Sequence, residues 1–220
     1  SRIQDLCKRL KIYKLRSKVE IQIIENFEIL ALFGTDSLKT LDLPQNVGAA
    51  KSFESGIIYT DPRLTAAGAR CIIPKDSLQK VITLGFVEAS FESYQRHRIS
   101  LGLPDSSRDM EVEKSILLES GFEELNGIDF NKGCFMGQEL TARTKYRGLV
   151  KKRLIPISID GATPSPGEVI KQDGKNVGEL RSISGDLGIA IIRLEALEKD
   201  VSLKAGDAFI IPKKPEWANF

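Results

Sequence analysis

Ile3, Leu6, Cys7, Leu10 and Tyr13 fall on one face of a helix, with lysine and arginine between them. Cys7 lies on that apolar stripe and reads as core, the usual place of a free cysteine. Val19, Ile21 and Ile23 then alternate with Glu20 and Gln22, the period of a half-buried strand. Phe27 to Phe33 reads as a second strand, with a hairpin turn at Glu25-Asn26. Gly34 to Ser37 opens a short helix carrying Leu38 and Leu41. Ile57 to Tyr59 and Arg70 to Ile73 read as paired strands around DPRLTAAGA, where Asp61-Pro62 sets a turn and Gly68 relaxes the return. Cys71 reads as buried in the second of these. Asp76 to Thr83 is a short helix. Ser90 to Leu101 is a longer one that puts Phe91, Tyr94, Arg98 and Leu101 on one face, with Gly102 and Pro104 to end it.

After a loop over Leu103 to Asp109 and a turn-rich approach from Glu119 to Asn126, the pattern changes. From Val150 onward, short strands are predicted at Leu154 to Ile159, Glu168 to Lys171, Val177 to Ile183, Leu187 to Leu194 and Ala208 to Ile211. Glycine, proline and aspartate separate them, and Asp173-Gly174 is a strong hairpin signal. Five such strands predict a small β-barrel. The fold class expected is therefore α+β: a mixed α/β domain over residues 1–147, then a C-terminal barrel over 148–220, with the boundary near Arg147-Gly148.

A chain of 220 residues holds one large domain or two small ones. With 41% hydrophobic and 28% charged residues it has the composition of a globular protein with a core. A net charge of +2 points to no particular partner. The three cysteines include no CxxC pair, which argues against a disulfide framework and against a self-contained zinc or iron–sulfur site. Reducing, intracellular conditions fit. No apolar run reaches the roughly 18 residues of a membrane span, and no signal peptide is visible. The chain enters a helix directly from Ser1, as expected of a trimmed chain or a fragment.

Candidate chemistry concentrates in residues 131–143, NKGCFMGQELTAR. The stretch combines a lysine, a cysteine and two glycines ahead of good helix formers. Cys134 is expected in a turn leading into a helix, with Gly133 and Gly137 free to take positive φ. Helix N–H groups and Lys132 would then favour thiolate over thiol. The alternative is a buried cysteine at a tight turn. Arg63, at the DPR bend, is either a solvated loop arginine or an anion contact. His97 sits in QRHR; its cationic neighbours disfavour protonation, and it reads as a solvated histidine. Arg143, Lys145, Arg147, Lys151, Lys152 and Arg153 form a basic run, either a solvated face or a hold for an anionic ligand.

Lys132, Gly133, Cys134, Gly137, Gln138 and Glu139 resemble the K-G-C-aromatic-x-G-Q-E signature of the YgfZ family, folate-binding relatives of the glycine-cleavage T-protein, an aminomethyltransferase. Phe135 stands where that family often has tyrosine. Asp61, Pro62, Arg63, Gly68 and Arg70 resemble its DPR block, and Tyr94, Arg98, Ile99, Gly102 and Pro104 its Y-x-x-x-R-I-x-x-G-x-P segment. LTARTKYRGLVKKRLIP is most similar to the branch that includes mitochondrial iron–sulfur assembly factors and their alphaproteobacterial relatives. The resemblance implies a GcvT-like folate-binding domain followed by the barrel. It also implies that the family's N-terminal segment, ahead of YKLRSKVEI, is missing apart from the first helix.

The same resemblance implies a site with Cys134 and Lys132 at its reacting centre. Arg63, Gln138, Glu139, Arg143 and Glu119 are expected around tetrahydrofolate, with Glu113 a further carboxylate candidate for the pterin. No metal is expected to reside in the protein. The function implied is support of [4Fe–4S] cluster assembly or repair, with iron–sulfur assembly proteins or client enzymes as partners. The setting expected is the bacterial cytoplasm, or the mitochondrial matrix in a eukaryote. The alternative is aminomethyl transfer to tetrahydrofolate, in which positioning outweighs covalent help, although the motif cysteine belongs to the YgfZ side. A Cys–His hydrolase is not expected, because the sole histidine has no sequence link to Cys134. Nor is a nucleic-acid module, because the barrel half offers few aromatics for stacking.

Overall fold

The computed structural model describes residues 2–135, 137–148, 150–198 and 201–220. Four antiparallel strands, β1 (Phe27–Leu32), β2 (Ala50–Phe53), β3 (Gly56–Thr60) and β4 (Ala69–Pro74), form a sheet in the order β1-β4-β3-β2. One face buries Leu32, Ile58, Ala69, Cys71 and Ile73 against Leu38 and Leu41 around α2 (Ser37–Thr40) and Val81 of α3 (Leu78–Thr83). β2 escapes the sequence pattern because AKSF is an edge strand with little buried surface.

On the other face, Ile29, Ile72 and Ile57 lie side by side across three strands. Ile29 and Ile72, together with α1 (Ile3–Tyr13), line an open groove of about 460 Å³. Three expectations are corrected here. Val19 to Ile23 is not a strand, and Glu25-Asn26 is not a hairpin turn. Among the described residues β1 is an edge strand paired only with β4, and the alternating segment does not take up its open edge. Ile21 and Ile23 line the groove instead. Cys7 is not core either: it is half-buried in the same groove, and α1 has no fully buried residue.

The helix α4 (Phe91–Ser100) begins where the Ser90 hydroxyl accepts the Ser93 N–H at 3.1 Å, a normal N-cap. It lies between the sheet and the barrel. Tyr94 and His97 pack on Phe33 on the sheet side. Ile99 joins Leu154 and Ile189 of the barrel in one apolar cluster. Arg98, 2% exposed, donates to Gln95 Oε1 at 2.7 Å, the Leu103 carbonyl at 3.1 Å, Asp109 Oδ2 at 2.6 Å and Ser182 Oγ at 2.7 Å. Ser182 in turn donates to Asp109 Oδ1. A buried ion pair is tolerable only when its remaining hydrogen-bonding groups are met, as they are here. Gly102 turns the chain at φ +70°, where a Cβ would lie 3.0 Å from both Pro156 and Pro215.

The barrel closes six strands in the order β10-β5-β8-β7-β6-β9. They are β5 (Lys152–Asp160), β6 (Val169–Gln172), β7 (Lys175–Ser184), β8 (Leu187–Arg193), β9 (Leu203–Ala205) and β10 (Ala208–Pro212), with the one-turn α6 (Leu194–Leu197) after β8. Asp173 and Gly174, at φ 50° and 76°, make the expected two-residue hairpin between β6 and β7. The five predicted strands are present. The sixth, β9, is too short to display alternation, yet it bridges β6 and β10 and closes the barrel. The architecture is thus α+β, a mixed sheet-and-helix region followed by a barrel.

Candidate functional site

Cys134 is exposed. Ahead of it, Asn131 N–H donates to Asp129 Oδ1 at 2.7 Å and sets a tight bend. Behind it, α5 (Gln138–Tyr146) starts from Gly137 at φ +84°, a conformation that suits glycine. Phe135 and Gln138 close the bend reciprocally: Phe135 N–H donates to Gln138 Oε1 at 3.1 Å, and Gln138 N–H donates to the Phe135 carbonyl at 3.2 Å. Gln138 therefore shapes the turn that presents the sulfur. The Lys132 ammonium sits over the Phe135 ring, 4.7 Å from its centroid. Glu139 accepts from Arg143 at 2.8 Å, one helical turn away on the exposed face.

The DPR bend is a different environment. Asp61 is buried, 2% exposed, and takes both arginines of its block. Arg63 reaches it with Nε at 2.9 Å and Nη2 at 2.8 Å, a two-pronged fork, and also with its backbone N–H at 3.0 Å. Arg70 Nε adds a contact at 3.1 Å and Arg70 Nη2 donates to the Tyr94 hydroxyl at 2.6 Å. Burial pushes the Asp61 pKa up, but the hydrogen bonds and charge of Arg63, with Arg70, outweigh it and hold the carboxyl below the usual range. The same contacts raise Arg63. The anion that Arg63 holds is therefore Asp61 of its own chain. Asn126, on the approach to the cysteine motif, donates to the Pro62 carbonyl at 2.9 Å and ties the two stretches together.

His97 is corrected. It is not solvated but stacked on Phe33, centroids 4.9 Å apart, and Nε2 is buried without a partner among the described residues. Burial lowers its pKa, opposed by a backbone hydrogen bond with Ala67, so it stays neutral. The basic run is not one face. Lys145 pairs with Glu123, and Arg153 with Glu124 at 3.0 Å and the Leu118 carbonyl at 2.8 Å. Lys152 borders a polar cleft of about 350 Å³ with Glu111, Glu119, Arg181 and Arg193. Burial there raises the Glu119 pKa, opposed by the nearby charges of Lys152 and Arg153.

The residues expected around tetrahydrofolate thus fall into three places. Gln138, Glu139 and Arg143 are on α5, Arg63 is clasped by Asp61, and Glu119 is in the barrel-side cleft. No group of three or more metal-ligating side chains occurs among the described residues. Of the three thiols, Cys71 is fully buried and pushed up to about 11 by burial, and Cys7 lines the α1 groove. The Asp61 hub and the Arg98 network were not picked out as site or anchor. The signal for the second was an arginine on the otherwise apolar face of α4.

Residues 151–220 match the family model described as the CAF17 C-terminal beta-barrel domain. The whole chain is similar in fold to the crystal structure of glycine cleavage system aminomethyltransferase T from Bartonella henselae, with a TM-score of 0.69 at 13% identity, over 99% of this chain and 66% of that one. Fold and barrel together define the architecture: a GcvT-like fold whose C-terminal barrel matches the CAF17 barrel model. In sequence the chain is similar to the mitochondrial iron–sulfur cluster assembly factor IBA57 of Mus musculus and Homo sapiens, at 28% identity over 96% of this chain. It is 35% identical to the Neurospora crassa homologue over 81% of this chain. The chain spans 60% of the length of the mouse and human relatives and 40% of the Neurospora one. These relatives are named as IBA57, and the family model matches the barrel alone. Among the described residues no helix is long and apolar enough to cross a membrane.

Proposed function

We propose that the protein supports the assembly of iron–sulfur clusters, with the Cys134 sulfur as its working atom. The observation that carries this reading is the contrast among the three thiols: one sealed, one set in an apolar groove, and Cys134 presented on a glycine-flanked bend. The relatives, named as iron–sulfur cluster assembly factors, point the same way. One thiolate does not hold a cluster, which takes several cysteine ligands. Cys134 therefore lends one ligand in exchange with those of a cluster-bearing partner, losing its proton to water and changing no oxidation state. The test is Cys134→Ser in cells that lack their own copy. Activity of [4Fe–4S] enzymes is expected to fall to the level of the depleted cells, with the fold intact. Wild-type activity in the serine variant removes the reading. The setting proposed is mitochondrial, as the relatives' names state of them.

Tetrahydrofolate binding is a separate proposal. Its support is the aminomethyltransferase-like fold. Titration calorimetry decides it: saturable heat with tetrahydrofolate, competed by folinic acid, supports it, and no heat removes it.

A further inference from the structure

We infer that the outer face of α5 docks an acidic protein surface, and that this surface belongs to the protein whose cluster meets Cys134. The inference rests on the reading of Cys134 given above and names the partner's chemistry.

At about 100° per residue, Tyr146, Glu139, Arg143, Arg147 and Leu140 fall within an arc of about 120° of α5. All five are exposed, Leu140 by 67% and Tyr146 by 74%. The rest of the circumference is anchored: Thr144, next to the Leu140 edge of the arc, is buried, and Lys145 beyond it pairs with Glu123. Tyr146 is also braced, its ring meeting Phe130 edge-on at 6.1 Å. A leucine and a braced tyrosine standing in water, with arginines between them, have the makeup of an interface centre rather than of a solvated face.

Charge selects the occupant. The one carboxylate on the arc, Glu139, is engaged by Arg143. Arg147, with Lys132 and Lys151 at the two ends of the segment, has no ion-pair partner among the described residues, and all three are exposed. The net field of the patch is positive, so the complementary surface carries aspartate and glutamate around an apolar spot. Nucleic acid fits less well. Single strands are held by stacking on several open aromatic faces, whereas Tyr146 is the one aromatic on the arc, and an exposed leucine at its edge gives a phosphate backbone nothing to meet. The patch begins within a helical turn of the bend that presents Cys134, so a partner seated on α5 places its cluster beside the sulfur.

The test puts a photo-crosslinking amino acid at Leu140 or Tyr146 of the full chain, in cells lacking their own copy, with Val87, 88% exposed, as control. The expected result is one discrete cross-linked protein from positions 140 and 146 and none from 87. Mass spectrometry should map its contact peptide to an Asp/Glu-rich surface, and the protein should bind an iron–sulfur cluster when purified. The double variant Arg143→Glu/Arg147→Glu should cut the cross-link at least tenfold. Cross-links to nucleic acid, a partner without acidic contact or cluster, no cross-link at all, or indifference to charge reversal each overturn the inference. Cys134→Ser separates the two claims: the cross-link should persist in that variant. If it persists while enzyme activity stays at wild type, the sulfur reading fails and the docking face stands.

Discussion

The seam around α4 and the bend around Cys134 both derive from short polar motifs, yet they use their polar atoms in opposite ways. At the seam, Arg98 spends its donors on four partners while 2% exposed. At the bend, Cys134 and Lys132 are exposed, and hydrogen bonds close only the backbone around them. The seam converts polarity into rigidity, because an unmet charge in low dielectric is costly. The bend keeps its chemistry available and relies on glycine and an Asx turn for shape. Removing a polar group from the first should cost stability, and removing one from the second should cost function alone.

Arg98→Met is the sharpest way to break the contrast. It leaves Asp109 buried and uncompensated, so a loss of about 3–5 kcal/mol is expected in urea unfolding. A loss below about 1 kcal/mol would mean that the seam does not carry the fold. Asp61→Asn is next: it strips the charge that two arginines share, with an expected cost of about 2 kcal/mol. Its pH behaviour is a separate check. The Asp61 pKa is depressed in the fold, so its contribution is present above the unfolded value of about 3.9 and is lost as pH falls through the lower folded value. The asparagine variant should lose that part of the acid-side slope.

His97 has a smaller effect in a milder window. The fold keeps it neutral, so below about pH 6.5 the unfolded chain takes up the extra proton and stability falls with pH. His97→Phe, which keeps the stack on Phe33, should flatten the stability profile between about pH 5 and 6.5. An unchanged profile would place the titration elsewhere. The smallest change belongs to the bend. Cys134→Ser and Glu139→Ala should each move stability by no more than about 0.5 kcal/mol, since an exposed ion pair contributes little. A large drop in either would show that the bend is part of the folding core after all.

The barrel was readable because its strands are long enough to alternate and its hairpin uses Asp173-Gly174, a pair suited to positive φ. β9 was not, since three residues show no period and only closure gives them a partner. The Val19–Ile23 alternation failed for the reverse reason: the period was right, but Ile21 and Ile23 pack into the groove beside α1 instead of pairing along the open edge of β1. At the candidate site, the turn at Cys134 and the helix after it were legible from Gly133, Gly137 and the helix formers. That Arg63 would be clasped by Asp61 was not, because spacing along a chain does not say which carboxylate an arginine meets. Asp61 lies two residues from Arg63 and claims it first.

Local backbone preference and period therefore settled the elements, the hairpin and the bend that carries the sulfur, since those energies act within a few residues. Tertiary packing decided which of the three cysteines faces water, that Arg98 would be sealed between two halves, and that His97 would stack rather than hydrate. Burial depends on what the rest of the chain brings alongside, and no local pattern records it.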